Sequence, residues 1–274
     1  MPADFIVTFW GVRGSRPVPG PETTKYGGNT PCVEVRIGDR LIILDAGTGI
    51  CELGCKLDRT EEPLQGDILL THTHWDHIHG LPFFKPAYKG DNRFCLYGAR
   101  PKETSLESLL KRAILAPLFP IPLEKMGADF RFRETAPGEE LDLGQGITVR
   151  SAANNHPDGG LSYRVQYGDK SCCYVTDTEH GGSADQALQE LCRGAGAIIY
   201  DAHFTEDEYP RYKGWGHSTW REGVKLLEAS GAKQLLLFHH HPERTDQEMA
   251  ELEELLRGQY THVRAAREGL VLSL

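Results

Sequence analysis

The chain has 274 residues, with 30 Lys+Arg against 39 Asp+Glu and a formal charge of −9 with histidine neutral. That balance disfavours a sequence-independent binder of long nucleic acids, which needs a basic surface to displace counterions, and an anionic membrane surface as a resting place. No apolar run approaches the ~20 residues that span a bilayer, and the first ten residues enter strand-like sequence without the regions of a secretory signal, so a cytoplasmic protein is expected.

In chain order, short β-branched runs bounded by Gly, Asp or Pro read as strands at 5–9, 32–37, 41–44, 67–70, 94–97, 147–149, 163–165, 172–175, 197–200 and 234–238. Val33-Val35-Ile37 alternates and suits a sheet with one open face. Leu235 to Phe238 is continuous and suits a strand covered on both faces. Helices are expected at 103–116, 183–193, 220–229 and 247–256, the last two behind capping boxes formed by Thr219 with Glu222 and Thr245 with Glu248. Strands come first and then mix with helices, which suggests an α/β layered domain with sheets covered outside by helices. No linker or repeat divides residues 1–274, so a single domain is expected. The stretches 11–28, 81–90 and 116–127 read as long loops over a site. The seven cysteines repeat no disulfide or zinc-knuckle spacing and read as reduced, mostly buried thiols.

Twelve histidines are present, and they cluster. After the strand at 67–70 comes Thr71-His72-Thr73-His74-Trp75-Asp76-His77-Ile78-His79-Gly80. Four imidazoles and a carboxylate in so short a span cannot all be core groups, because each polar ring needs a partner. Imidazole and carboxylate are the ligands of zinc and similar divalent metals, and a loop at a strand end can turn alternate side chains to one point.

The pattern His72-x-His74-x-Asp76-His77 resembles the signature of the metallo-β-lactamase-fold hydrolases. Later motifs of that family follow in order: Asp45-Ala46-Gly47 after a strand, His156 in Asn155-His156-Pro157, Asp177 in Thr176-Asp177-Thr178, and a histidine after the strand that ends at Phe238. The resemblance covers essentially the whole chain. It implies an αββα sandwich of four layers with a dinuclear site in the cleft between the sheets. One cation would be held by His72, His74 and His156, the other by Asp76, His77 and the last histidine, with Asp177 and a hydroxide between them. Asp76 thereby counts among the catalytic groups as well as the ligands. His239 is taken as the last ligand because it directly follows Phe238, with His240 as the runner-up. His79, His180, His241 and His262 fit no ligand position. Two divalent ions are implied, zinc first, with manganese or iron as alternatives.

Two further segments, Tyr200-Asp201-Ala202-His203 and Gly216-His217-Ser218-Thr219, resemble the acid and His-Ser-Thr motifs of the phosphodiesterase branch. That branch includes the tRNA 3′-processing endonucleases and the cyclic-phosphate phosphodiesterase of phosphonate metabolism. His217 would protonate a leaving alkoxide, with Asp201 holding its tautomer. Only 20 residues separate His156 from Asp177, which leaves no room for the protruding arm with which the tRNA enzymes grip their substrate. The expected substrate is therefore a small or cyclic phosphodiester. A lactone or thioester hydrolase, or a non-hydrolytic metal-binding biosynthetic relative, is the alternative, and dimeric relatives leave a homodimer open. Arg13 or Arg16 could pair with a phosphate oxygen, and Phe83, Phe84 and Phe119 could stack a base from a lid; solvated arginines and ordinary loop packing compete with these readings.

Overall fold

The computed structural model describes residues 3–274. Fourteen strands among them form two seven-stranded sheets. The first sheet holds β1 (Phe5–Gly11), β2 (Cys32–Ile37), β3 (Arg40–Leu44), β4 (Gln65–Leu69), β5 (Arg93–Ala99) and β6 (Asp129–Thr135), with β14 (Val271–Ser273) beside β1. The second holds β7 (Glu140–Gly144), β8 (Ile147–Ala153), β9 (Leu161–Tyr167), β10 (Lys170–Val175), β11 (Ala197–Asp201), β12 (Leu235–Phe238) and β13 (Val263–Ala265). Each sheet is part antiparallel and part parallel: β3 to β6 and β10 to β13 run parallel within their sheets.

The inner faces meet in one core, where Phe9, Val35, Ile42 and Leu69 of the first sheet share a cluster with Val165, Tyr174, Ile199 and Phe238 of the second. Period-2 alternation in β1 and β2 puts these side chains inward. The outer faces carry helices. α1 (Gly49–Leu57) and α3 (Leu106–Ala113) cover the first sheet. α4 (Asp185–Cys192), α5 (Trp220–Ser230) and α6 (Asp246–Gln259) cover the second. A one-turn helix α2 (Trp75–Ile78) lies inside the histidine motif. The result is the expected αββα arrangement.

Several sequence expectations change in detail. The helix expected at 103–116 runs only from Leu106, because the Ser105 hydroxyl accepts from the Ser108 amide and sets the start. The capping box of α6 forms, but the Thr219 side chain makes no cap bond to α5. α1 was not expected, although Ile50, Leu53 and Leu57 share a buried face. Nor were β6, β7, β13 and β14, the outermost or short strands, where the apolar pattern is diluted by charge. The stretches 81–90 and 116–127 do not arch over the site. They bury Leu81, Phe84, Ala87, Leu123 and Met126 beneath the outer face of the first sheet. All seven cysteines are free, and Cys32, Cys172, Cys173 and Cys192 are buried.

Candidate active site

The carboxyl ends of β3, β4, β8, β10, β11 and β12 all open toward one edge of the sandwich, the usual place for a site in sheets of this kind. The residues singled out by motif lie at or beyond these ends, except His217, which sits in the turn before α5. Asp45, Asp177 and His239, which follow β3, β10 and β12, adopt left-handed backbone with φ of 61°, 53° and 57°. That conformation is uncommon outside glycine, though Asp and His tolerate it better than most, and it clusters at functional sites. Here it turns each side chain off the strand axis, those of Asp177 and His239 toward the histidine cluster and that of Asp45 beneath it.

Besides two groups that take in His217, with His156 and Asp177 and with His203 and His239, the side chains converge in two groups whose nitrogen and oxygen atoms lie within 4.8 Å of one another: His72, His74 and His156, and Asp76, His77, Asp177 and His239. Asp177 reaches both. Its Oδ1 is 3.2 Å from both His77 Nε2 and His239 Nε2, and its Oδ2 is 3.8 Å from both His72 Nε2 and His156 Nε2. Asp76 Oδ2 lies 3.3 Å from His77 Nε2 and from His239 Nε2. The Nε2 atoms of His72 and His77 are buried with no hydrogen-bond partner, a costly arrangement for isolated rings. A buried nitrogen aimed at carboxylates and other imidazoles is what a divalent cation satisfies, so the residues present fit such ions. Burial would raise the Asp76 and Asp177 carboxyls, but the surrounding imidazoles hold both well below the usual carboxylate range.

The far sides of the His77 and His156 rings are fixed. Asp45, buried below the site, accepts from the Thr71 amide at 2.8 Å, from Tyr174 OH at 3.0 Å and from His77 Nδ1 at 2.7 Å. His156 Nδ1 donates to the Gly216 carbonyl at 2.9 Å. These bonds set the tautomers and leave Nε2 of both rings facing the cleft. His240, the runner-up for the last position, turns away: its Nε2 bonds the Ala266 carbonyl at 2.8 Å.

Beside these groups, Asp201 Oδ2 accepts from His217 Nδ1 at 2.9 Å. Burial alone would lower the His217 imidazolium, but Asp201 and Asp177 outweigh it and push its pKa up to about 9. Three contributors were not assigned from the sequence. His203 is buried with its ring stacked on His217 at 4.3 Å between centroids, and its Nδ1 bonds the His239 carbonyl. Glu179 accepts from the Gly214 and Gly216 amides and from Tyr209 OH, pinning the turn that carries His217. Ser15 donates its amide to Asp76 Oδ2 at 2.8 Å. None of these follows from composition, because each acts through backbone groups whose positions only the fold defines.

The N-terminal loop does reach the cleft, but not through its arginines. Arg13 is fully buried and donates to the carbonyls of Gly27, His241 and Arg244, so it ties the loop down and offers nothing to a phosphate. Arg16 is exposed and lines no part of the cleft. Gly14 lies against the His239 and His203 rings so closely that an added Cβ would fall 2.5 Å from the first and 2.8 Å from the second. Phe84 is buried in the outer layer, and Phe83 meets Phe119 edge-on away from the cleft, so of the two readings of these aromatics ordinary loop packing holds and a base-stacking lid does not.

The sequence model of the family described as "Beta-lactamase superfamily domain" matches residues 40–240. A curated relative named Ribonuclease Z, from Thermoplasma acidophilum, is 23% identical over 292 aligned positions, covering 90% of this chain and 89% of its own. Among solved structures, a diphosphatase of the PhnP family superposes with a TM-score of 0.71 at 21% identity, over 100% of this chain and 98% of that one. The short form of human tRNase Z superposes with a TM-score of 0.71 at 19% identity, over 97% and 98%.

Proposed function

The chain belongs to the β-lactamase superfamily, and from that premise we propose that it is a metal-dependent phosphodiesterase of small or cyclic phosphodiesters. The observation that carries this reading is the Asp201–His217 pair set against a cluster in which Asp177 stands between two candidate ligand groups, 3.2 Å from His77 and His239 and 3.8 Å from His72 and His156. His72, His74 and His156 would hold one cation and Asp76, His77 and His239 a second, with Asp177 common to both; the donors suit zinc first, and manganese or iron(II) next. Bound divalent cations supply Lewis acidity at the phosphoryl oxygens and lower the pKa of water at neutral pH.

The rest of the work falls to the protein. Asp76, oriented by the Ser15 amide, is placed to take the proton of the attacking water. His217, fixed through Nδ1 by Asp201, keeps Nε2 free to protonate the leaving oxygen as the P–O bond breaks. A linear diester gives a phosphomonoester and an alcohol, and a cyclic one gives a single phosphomonoester that carries the freed hydroxyl. A carboxylate-oriented acid of this kind matches an alkoxide leaving group and would be idle in a simple metal-binding protein. We read residues 1–274 as one domain, since both sheets supply residues to the one site.

The names of the curated relatives raise RNA as the substrate. Two features favour a small diester. β9 and β10 are joined by Gly168 and Asp169 alone, with no inserted arm, and the charge of −9 provides no basic track for a long polyanion. No helix among the described residues is long and apolar enough to cross a membrane.

The test is an assay of zinc- or manganese-loaded protein against bis(p-nitrophenyl) phosphate, cyclic nucleotides, a precursor tRNA and a lactone. Metal-dependent diester turnover that collapses in His217→Ala supports the reading. Turnover confined to precursor tRNA overturns the small-substrate part. Lactone turnover that survives His217→Ala, with no diester cleaved, overturns it entirely.

A further inference from the structure

The chain has four tryptophans. Trp220 is buried and Trp10 half-buried, while Trp75 and Trp215 are 58% and 61% exposed. Both exposed indoles line the same cleft, of about 450 Å³, that contains His156, Asp177 and His217. They arrive from opposite sheets. Trp75 opens α2 after β4, and Trp215 precedes α5 after β11.

Neither sits on a loose tip. Trp215 lies between Gly214 and Gly216, whose φ values of 90° and 83° make a tight turn, and Glu179 accepts from both glycine amides. Its ring meets Tyr212 edge-on at 5.2 Å, and Tyr212 stacks on buried Phe204 at 4.7 Å. Trp75 meets His79 edge-on at 5.8 Å. A single exposed aromatic needs no explanation. Two, held on pinned backbone and converging on one catalytic cleft, present flat apolar faces beside the position of the scissile phosphate.

We propose that Trp75 and Trp215 form a stacking subsite for a nucleobase, so that the diester cleaved is one attached to a nucleoside. The inference rests on the phosphodiesterase reading and narrows its substrate class. Apart from the candidate metal ligands, His217 and the indoles themselves, Ser15 and Thr73 are the polar side chains along this cleft. The subsite therefore accepts any base, because stacking uses the π-face that all bases share and not their hydrogen-bonding edges. The cleft volume lies within the range of sites for small ligands.

Binding and turnover test it separately. Zinc-loaded protein is titrated with AMP while tryptophan fluorescence is followed, and ribose 5-phosphate is measured by competition. AMP is expected to quench the fluorescence and to bind at least about ten-fold tighter than ribose 5-phosphate. Trp75→Ala and Trp215→Ala should each close most of that gap, and Trp75→Phe and Trp215→Phe should restore it. Equal weakening of both ligands, or failure of the phenylalanine variants to rescue, overturns the proposal in favour of a structural role. A dimer in sedimentation velocity that dissociates in Trp215→Ala, without an AMP quench, overturns it in favour of a second copy covering the indoles. Because AMP binding needs no turnover, loss of the phosphodiesterase reading would leave this result standing or falling by itself. Run in parallel, 3′,5′-cyclic AMP and a dinucleoside monophosphate separate the two sources of a base. The substrate whose KM rises more in Trp215→Ala shows whether the base belongs to a free cyclic nucleotide or flanks a chain linkage.

Discussion

Asp201 Oδ2 lies 2.9 Å from His217 Nδ1, and both side chains are buried. The same carboxylate accepts the His203 amide through Oδ1 at 3.1 Å, so it is fixed by the backbone before it fixes the imidazole. An orienting acid of this kind decides which nitrogen carries the mobile proton. His217→Ala is expected to lower kcat for a diester by about 10²- to 10⁴-fold with little change in metal content. Asp201→Asn should reproduce part of that loss, since an amide can present the wrong group to Nδ1. Steady-state kinetics with metal analysis on the same samples checks this. A large fall in bound metal would mean that the pair is structural.

The His217 imidazolium also links stability to pH in the metal-free protein. Its folded pKa is raised to about 9, against about 6.5 for an unfolded histidine. The folded state therefore holds the proton more tightly. The stabilisation is fully present below about pH 6.5 and is lost as pH rises through about 9, an effect of roughly 3 kcal/mol. Denaturant unfolding of wild type and His217→Gln at pH 6 and pH 10 measures it. The wild-type advantage should shrink at the higher pH, and a constant difference would remove Asp201 as the cause.

Much of the site was legible because its residues are close in sequence. His72, His74, Asp76 and His77 lie within six residues, and their spacing alone singles them out as candidate ligands, which the structure brings to one cleft edge. Asp177, His239 and Asp201 were legible as motifs at the ends of apolar runs, since β10, β11 and β12 are continuous and buried. Glu179, Ser15 and His203 were not, because a carboxylate that pins a turn or an amide that orients Asp76 has no local pattern. Arg13 shows the opposite failure. An arginine between glycines suggests an anion site, yet here it satisfies three carbonyls in the interior. In the fold, the edge strand β6 was missed because its alternation rests on Phe130 and Phe132 alone, in a run otherwise made of Asp129, Arg131, Arg133, Glu134 and Thr135.

Shared and unshared candidate ligands should differ in metal stoichiometry. Asp177 lies 3.8 Å from His72 and His156 and 3.2 Å from His77 and His239, whereas His239 is grouped with Asp76, His77 and Asp177 and not with His72, His74 or His156. His239→Ala is expected to leave one tightly held divalent ion per chain, and Asp177→Asn to weaken both. Chelation should lower the thermal midpoint of wild type, because ions that bind only the folded chain stabilise it by mass action. Equilibrium dialysis with elemental analysis gives the count. Two ions retained in His239→Ala would take that residue out of the ligand set.

Asp45 offers the sharpest separation of scaffold from chemistry. It is fully buried, has no place in either ligand group, and accepts from the Thr71 amide, the Thr71 hydroxyl, Tyr174 OH and His77 Nδ1. Those bonds join the strand ends of both sheets beneath the site. Its φ of 61° adds strain for a residue such as alanine. Asp45→Ala strands four donors and should cost about 3–5 kcal/mol in the metal-free protein. Asp45→Asn tolerates the backbone but turns an NH₂ toward donors, for about 1–3 kcal/mol. His77 would then lose the bond that fixes its tautomer, and zinc affinity should fall about 10- to 100-fold in Asp45→Asn. Denaturant melts of apoprotein read the first effect and competitive zinc titration of the folded variant reads the second. Wild-type zinc affinity in folded Asp45→Asn would show that His77 needs no support from below.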